Sequence, residues 1–345
     1  MNLQTLRVEE AVGTVLSHDI TKIVKGEFKG VSFKKGRVIK EEDVPELLRM
    51  GKENLYVLEL EPGEVHEDEA GIRLGAAVAG HGVTWCGPKE SRVDLFAGCN
   101  GLIKVNIPAL QAINELPDVV LSTLLNNTVV NKGDLLAGTK VIPLVVPERT
   151  VSTAESICRE AGWVIKVIPF RNKQVGAIIT GSEVCKKRVR DGFGPVLREK
   201  VKTYGQTLLR LEYAPDECES IAEKINKMAT DGAGMILVTG GMSVDPDDVT
   251  PKAIRLAGAV VEKYGAPALP GAMFMLAYLN NIPVMGIPAC GMFFKTTVVD
   301  LLLPRLLAGE RIRRKDIVAL AHGGLCRACP QCSFPYCSFG KGANY

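Results

Sequence analysis

The sequence predicts an α/β fold built on a parallel sheet, and three observations predict it. "VGAIIT" (175–180) and "MILVTGG" (235–241) are unbroken apolar runs that end in glycine, as strands covered on both faces do. "PVMGIPA" (283–289) is a weaker third run of the same kind. Between them lie helical patterns at 196–204, 216–230 and 250–257, and strands that alternate with helices form a parallel sheet.

Each element has its own warrant. For the 250–257 helix, Thr250 suits an N-cap, Pro251 suits the first helical position, and Gly258 can close the end. A long apolar helix is expected over 293–307, bent or ended near Pro304. Before residue 171 the pattern differs. A turn at 34–36, a helix from Glu42 to Gly51 and a strand over 55–60 are expected. "EDEAGIRLGAAVAG" reads as a helix with acids favouring its start. From 91 to 146 short apolar runs alternate with Gly, Asn and Pro, which reads as β-rich with some helix. The expected organisation is a mixed α/β region over 1–170, the α/β domain over 171–309, and a basic hinge with a cysteine-rich tail over 310–345.

At 345 residues the chain is long enough for two domains. A formal charge of +3 gives no electrostatic case for nucleic acid. No signal sequence is read at the start and no uninterrupted apolar stretch long enough to span a bilayer is seen, so a cytoplasmic protein without a membrane partner is expected. Ten cysteines are many for such a protein. Six of them (Cys86, Cys99, Cys158, Cys185, Cys218 and Cys290) are scattered in contexts that read as core or loop.

In open α/β sheets the ligand site lies beyond the carboxyl ends of the strands. Two such ends are visible: "TGSE" (180–183) and "TGGMSVDPDD" (239–248). Gly240 and Gly241 allow a sharp turn and close approach to a ligand, and turn amides with a following helix start can receive a phosphate. Glu183, Asp247 and Asp248 would share that rim. Carboxylates repel a phosphate unless a divalent cation lies between them, and Mg²⁺ is held in this way by one or two carboxylates plus substrate phosphates. Asp and Gly are also ordinary turn residues, so the pattern alone leaves both readings open.

"AIITGSEV" followed about sixty residues later by "ILVTGGMSVDPDDVT" resembles the molybdopterin-binding domain of molybdenum-cofactor biosynthesis proteins. That domain is shared by molybdate insertases of the MoeA and gephyrin E types, adenylyltransferases of the MogA type, and CinA-like proteins. The resemblance covers about 172–308 and implies a three-layer α/β/α, MogA-like fold. It implies that Glu183, Asp216 and Asp248 are the catalytic acids, positioning Mg²⁺ or molybdate. It further implies that Thr180, Gly181, Ser182, Gly240, Gly241, Ser243, Asp247 and Pro288 contact molybdopterin or its adenylylated form. A homodimer is implied, with a molybdoenzyme as a possible recipient. Asp245 stands where the family has Gly, Val249 where it has Tyr, and "GIPACGMF" (286–293) where it has Leu-Pro-Gly-Asn-Pro. The N-terminal half lacks the insertase segment Asn-Ser-Ala-Met-Asp-Gly-Tyr-Ala. The expected function is molybdopterin binding in cofactor biosynthesis, with Mg²⁺-dependent molybdate insertion as its enzymatic form. A non-catalytic cofactor carrier and a CinA-like nucleotide pyrophosphatase are the alternatives.

Two further segments carry chemistry. Lys186, Lys187, Arg188 and Arg190 form a basic loop that could offset the acids and bind a phosphate, or simply be solvated. "CRACPQCSFPYC" places Cys326, Cys329, Cys332 and Cys337 at C-x₂-C-x₂-C-x₄-C, a metal-ligand spacing. An iron–sulfur cluster is slightly favoured over Zn²⁺, because three cysteines in seven residues resemble the run that holds clusters in bacterial ferredoxins. His322 is close enough in sequence to be a spare ligand, but a lone surface His is the favoured reading.

Overall fold

The computed structural model describes residues 3–24, 28–58, 60–89, 91–171 and 173–342. Two compact units emerge. The first comprises 1–98, 105–124 and 132–167, and the second comprises 99–104, 125–131 and 168–345.

In the first unit, Leu3–Arg7 pairs antiparallel with Asn54–Leu58, and Ile20–Val24 with Phe28–Phe33. A small core of Val8, Ala11, Leu16, Ile20, Phe33, Ile39, Leu47 and Leu55 closes this part. A four-stranded antiparallel sheet follows, in the order Val83–Lys89, Arg92–Ala97, Leu135–Val141, Val119–Thr123. The helix Glu67–Val78 lies close on it: a Cβ on Gly75 would stand 2.5 Å from Val93 Cγ1. Arg73 on that helix bonds both Glu148 and Glu155 of the helix Glu148–Ala161, at 2.8 Å each. The expected helix from Glu42 to Gly51 is a 3₁₀ turn, Glu41–Asp43, running into Val44–Arg49.

The second unit holds a six-stranded sheet. Its strands are β1 (Gln174–Thr180), β2 (Thr207–Ala214), β3 (Met235–Thr239), β4 (Val260–Tyr264), β5 (Met275–Leu279) and β6 (Ile282–Ile287). They lie in the order β2-β1-β3-β6-β5-β4. The first four are mutually parallel, and β5 and β4 add on antiparallel. The helices are α1 (Ser182–Cys185), α2 (Phe193–Thr203), α3 (Cys218–Thr230), α4 (Thr250–Leu256), α5 (Cys290–Phe293) and α6 (Val298–Leu307).

Why this becomes three layers is visible in the strand alternation. Val175, Ala177, Ile179, Met235 and Leu237 face one core, with Leu197 and Val201 of α2 and Leu302, Leu303 and Leu306 of α6. Ile178, Ile236 and Val238 face the other, with Ile221 and Ile225 of α3 and Ala253 and Ile254 of α4. Each fully buried Val, Leu or Ile contributes roughly 1.5–3 kcal/mol of transfer free energy, which fixes the register of the central strands. The fold is thus the expected α/β/α sandwich.

Three expectations are corrected. The helix expected from 293 begins at Val298, because Thr297 Oγ1 accepts from the Val299 amide while the Asp300 carboxylate accepts from the Thr297 amide at 2.7 Å. Thr250 does not cap its helix. It is helical itself, with Val249 before it, and its side chain is fully buried. The segment expected as a basic hinge is packed down: Ile312 is fully buried, its amide bonds Tyr278 Oη at 2.9 Å, and Glu310 and Asp316 both pair with Arg305.

Candidate functional site

The site is built from the ends of β1 and β3, which are neighbours paired in parallel up to Ile179 and Thr239. Thr180, the last residue of β1, donates its hydroxyl to the Thr239 carbonyl at 2.9 Å. Its Oγ1 also lies 3.5 Å from Thr250 Oγ1 at the start of α4. One buried hydroxyl therefore ties both motifs and a helix start to a single edge. Gly240 and Gly241 are what permit this closeness. Both have positive φ (85° and 54°), and a Cβ on Gly240 would stand 2.6 Å from Thr180 Oγ1. Thr239 Oγ1 is a buried side-chain oxygen without a hydrogen-bond partner among the described residues, left at the same strand end.

Asp216, just before α3, joins the edge from the β2 side. Its carboxylate accepts from the Ser182 amide at 2.7 Å, and its own amide donates to Ser182 Oγ at 3.3 Å. Cys218 Sγ, at the start of α3, lies 3.9 Å from the Val249 carbonyl at the start of α4. Three helix starts (Ser182, Cys218 and Thr250) thus face one edge, and a helix start favours negative charge. Glu183 curls back over Gly181, whose φ of 138° leaves a Cβ only 2.8 Å from Glu183 Oε1. The basic loop folds onto the same residue, since the amides of Arg188 and Val189 donate to the Glu183 carbonyl. Lys186, Lys187, Arg188 and Arg190 are exposed.

The remaining residues stand apart. Ser243 and Asp247 lie on an exposed loop, and Asp248 turns inward on that loop, accepting from the Asp245 amide at 3.2 Å. Tyr264 on the far edge strand donates to the Met242 carbonyl at 2.7 Å, which anchors the loop. Burial, with the Asp248 charge nearby, pushes the Tyr264 phenol up, so it stays a neutral donor. Pro288 is buried at the end of β6, and its carbonyl accepts from the Gly291 amide. The carboxylates Glu183, Asp216 and Asp248 do not converge. Among the described residues, no group of three or more His, Cys, Asp or Glu stands close enough to hold a metal ion. As arranged, these three acids do not by themselves make a cation cage among the described residues.

Two polar residues near the edge have roles that the sequence does not signal. Thr250 was expected only as a cap. Asp191 holds the start of α2 by accepting from the Phe193 and Gly194 amides at 2.8 and 2.9 Å, and it also accepts from Tyr213 Oη of β2. That bond holds the Tyr213 phenol protonated to higher pH.

The tail is folded onto the second unit. Leu325 bridges Leu269, the Cys326 amide donates to the Leu269 carbonyl at 2.8 Å, and Phe339 is buried in the core. Cys332 Sγ lies 3.4 Å from Thr296 Oγ1, a contact that with the Phe334 amide holds its thiol below the usual range. All ten cysteines are free thiols.

Residues 176–308 match a family described as "Probable molybdopterin binding domain". This segment is a member of that domain family. Residues 5–59 match a second family, described as a domain of unknown function (DUF8806). Among curated proteins, a CinA-like protein of Mycobacterium sp. (strain JLS) is 30% identical over 77 residues, 22% of this chain and 18% of its own length. A CinA-like protein of Mycolicibacterium gilvum is 29% identical over 90 residues, 26% of this chain and 21% of its own length. The match therefore spans about a fifth of these relatives. Among solved structures, CinA of Thermoplasma acidophilum covers 39% of this chain and 98% of its own at 12% identity, with TM-score 0.35. The tungsten cofactor synthesizing protein MoaB of Pyrococcus furiosus covers 41% and 99% at 14% identity, with TM-score 0.34. Among the described residues, no helix is long and apolar enough to cross a membrane.

Proposed function

We propose that the edge formed by Thr180, Gly181, Ser182, Asp216, Gly240 and Gly241 binds molybdopterin, and that the protein acts in molybdenum-cofactor biosynthesis. The observation that supports this most is the Thr180 hydroxyl bonded to the Thr239 carbonyl, which joins the two motifs of the domain family at one strand edge. The pterin's phosphate would be received by the glycine turn and the helix starts, where backbone dipoles favour an anion. Ser243, Asp247 and Asp248 would meet the ligand from the exposed loop, and Pro288 from the end of β6. The reading includes a homodimer, as the family resemblance implies, and a molybdoenzyme as recipient. Sedimentation of the full chain tests the first, and transfer of bound cofactor to an apo-molybdoenzyme the second. It also includes a thiolate metal centre, iron–sulfur or zinc, at the four tail cysteines.

Whether binding is coupled to Mg²⁺-dependent molybdate insertion is tested by AMP release. The full chain is incubated with adenylylated molybdopterin, Mg²⁺ and molybdate. Release that vanishes in Glu183→Ala and Asp248→Ala supports the insertase. Tight pterin binding without release supports a carrier. Failure to bind the pterin, with hydrolysis of a nucleotide pyrophosphate instead, would support the CinA-like reading suggested by the curated relatives.

A further inference from the structure

The four tail cysteines do more than share a spacing. Cys326, Cys329, Cys332 and Cys337 all line one open pocket of about 340 Å³, whose other lining residues include Phe293, Phe294, Phe334 and Phe339. None of its lining residues belongs to the proposed pterin contacts. The segment carrying the thiols is fixed at both ends: Cys326 follows the Leu325 bridge to Leu269, and the Gly340 amide donates to the Gly323 carbonyl at 2.9 Å.

Two ligand chemistries suit four thiolates, and their dimensions differ. A single Zn²⁺ with Zn–S bonds of about 2.3 Å draws four sulfurs to within about 4 Å of each other. A cluster bridged by inorganic sulfide holds its thiolates farther apart and needs a cavity of several atoms' volume, which the space of about 340 Å³ lined by all four cysteines supplies. We propose that the tail pocket binds a sulfide-bridged iron cluster, with Cys326, Cys329, Cys332 and Cys337 as its four thiolate ligands. Such a cluster with four thiolates is anionic, and Lys295 and Arg327 in the pocket wall supply compensating charge. The proposal rests on the reading of the tail as a metal centre and names the centre.

The test measures iron, acid-labile sulfide and zinc in the full chain purified without oxygen, before and after incubation with iron salt and sulfide. The expected result is iron and sulfide in comparable amounts with a broad brown visible absorption. Cys329→Ser and Cys332→Ser should each carry roughly tenfold less iron with an unchanged far-ultraviolet dichroism spectrum. Both thiols are exposed, so these variants are expected to fold. Zinc in place of iron, without sulfide, overturns the cluster while leaving the metal centre standing. Four thiols that stay free or oxidise to disulfides, with neither metal retained, overturn both.

Discussion

Thr250 shows how a side chain can be legible in kind and misread in role. A Thr before Pro at a helix start signals a cap, yet here the hydroxyl is buried 3.5 Å from Thr180 Oγ1 and helps join two strand ends. No local rule reports a partner seventy residues away. The glycines were legible, because glycine adopts positive φ without strain where a neighbouring strand also crowds the place of a Cβ. Gly240→Ala is expected to lower stability by about 1–3 kcal/mol and to weaken molybdopterin binding. Gly232→Ala is the control, since its φ of 96° imposes strain but nothing lies within 4 Å. Equal melting losses for the two would show that crowding at Thr180 is immaterial. Asp216 allows a finer test. Asp216→Asn keeps an acceptor for the Ser182 amide, whereas Asp216→Ala leaves that amide unpaired at a cost of about 1–3 kcal/mol. If positioning is its role, Asn holds pterin affinity and Ala loses it, as read by titration calorimetry. An Asn variant as weak as Ala would mean that the charge itself is needed.

Elements with apolar faces were read from the sequence and elements at edges were not. β1 and β3 are buried along almost their whole length, so their runs are continuous. β2 is largely solvent-facing and carries Arg210 and Glu212, so no apolar run marks it. The β5–β6 hairpin turns at Asn280, whose φ is 56°, and the Asn-Asn pair between the two runs was the available signal. The start of α6 was also written in the sequence as Thr-Val-Val-Asp, but the apolar run before it hid the box. Asp300 there bonds both the Thr297 amide and Lys200. Asp300→Ala should cost about 2–4 kcal/mol, combining a lost cap with an unpaired, mostly buried ammonium, read by urea denaturation. In the first unit, Arg73 holds Glu148 and Glu155 below their reference value of 4.5. Their stabilisation is present above that value and is lost as pH falls through the lowered folded values. The melting temperature should therefore drop below about pH 4.5, and Glu148→Gln/Glu155→Gln should flatten that drop. An unchanged profile in the double variant would assign the acid sensitivity elsewhere.

At the scale of the molecule, the family match ends at 308, but the second unit does not end there. Residues 99–104 and 125–131, from the N-terminal half, belong to it. Lys104 pairs with Glu310 at 2.7 Å and bonds Asn127 at the same distance, which stitches these short passages to the helical side. Sequence reading could not find this, because nothing in six or seven residues announces a distant partner. A 171–345 fragment is expected to express with lower solubility and melt below the full chain. A fragment as stable as the parent would show that the borrowed passages are dispensable.

The chain enters the second unit three times, and that has a bearing on how the two halves could ever have been combined. A ribosome finishing the first half has already laid down pieces whose destination is not yet made. Those pieces must wait, exposed, until the sheet that receives them is synthesised. The protein was therefore not assembled like beads on a string, and a single cut will not return two finished parts.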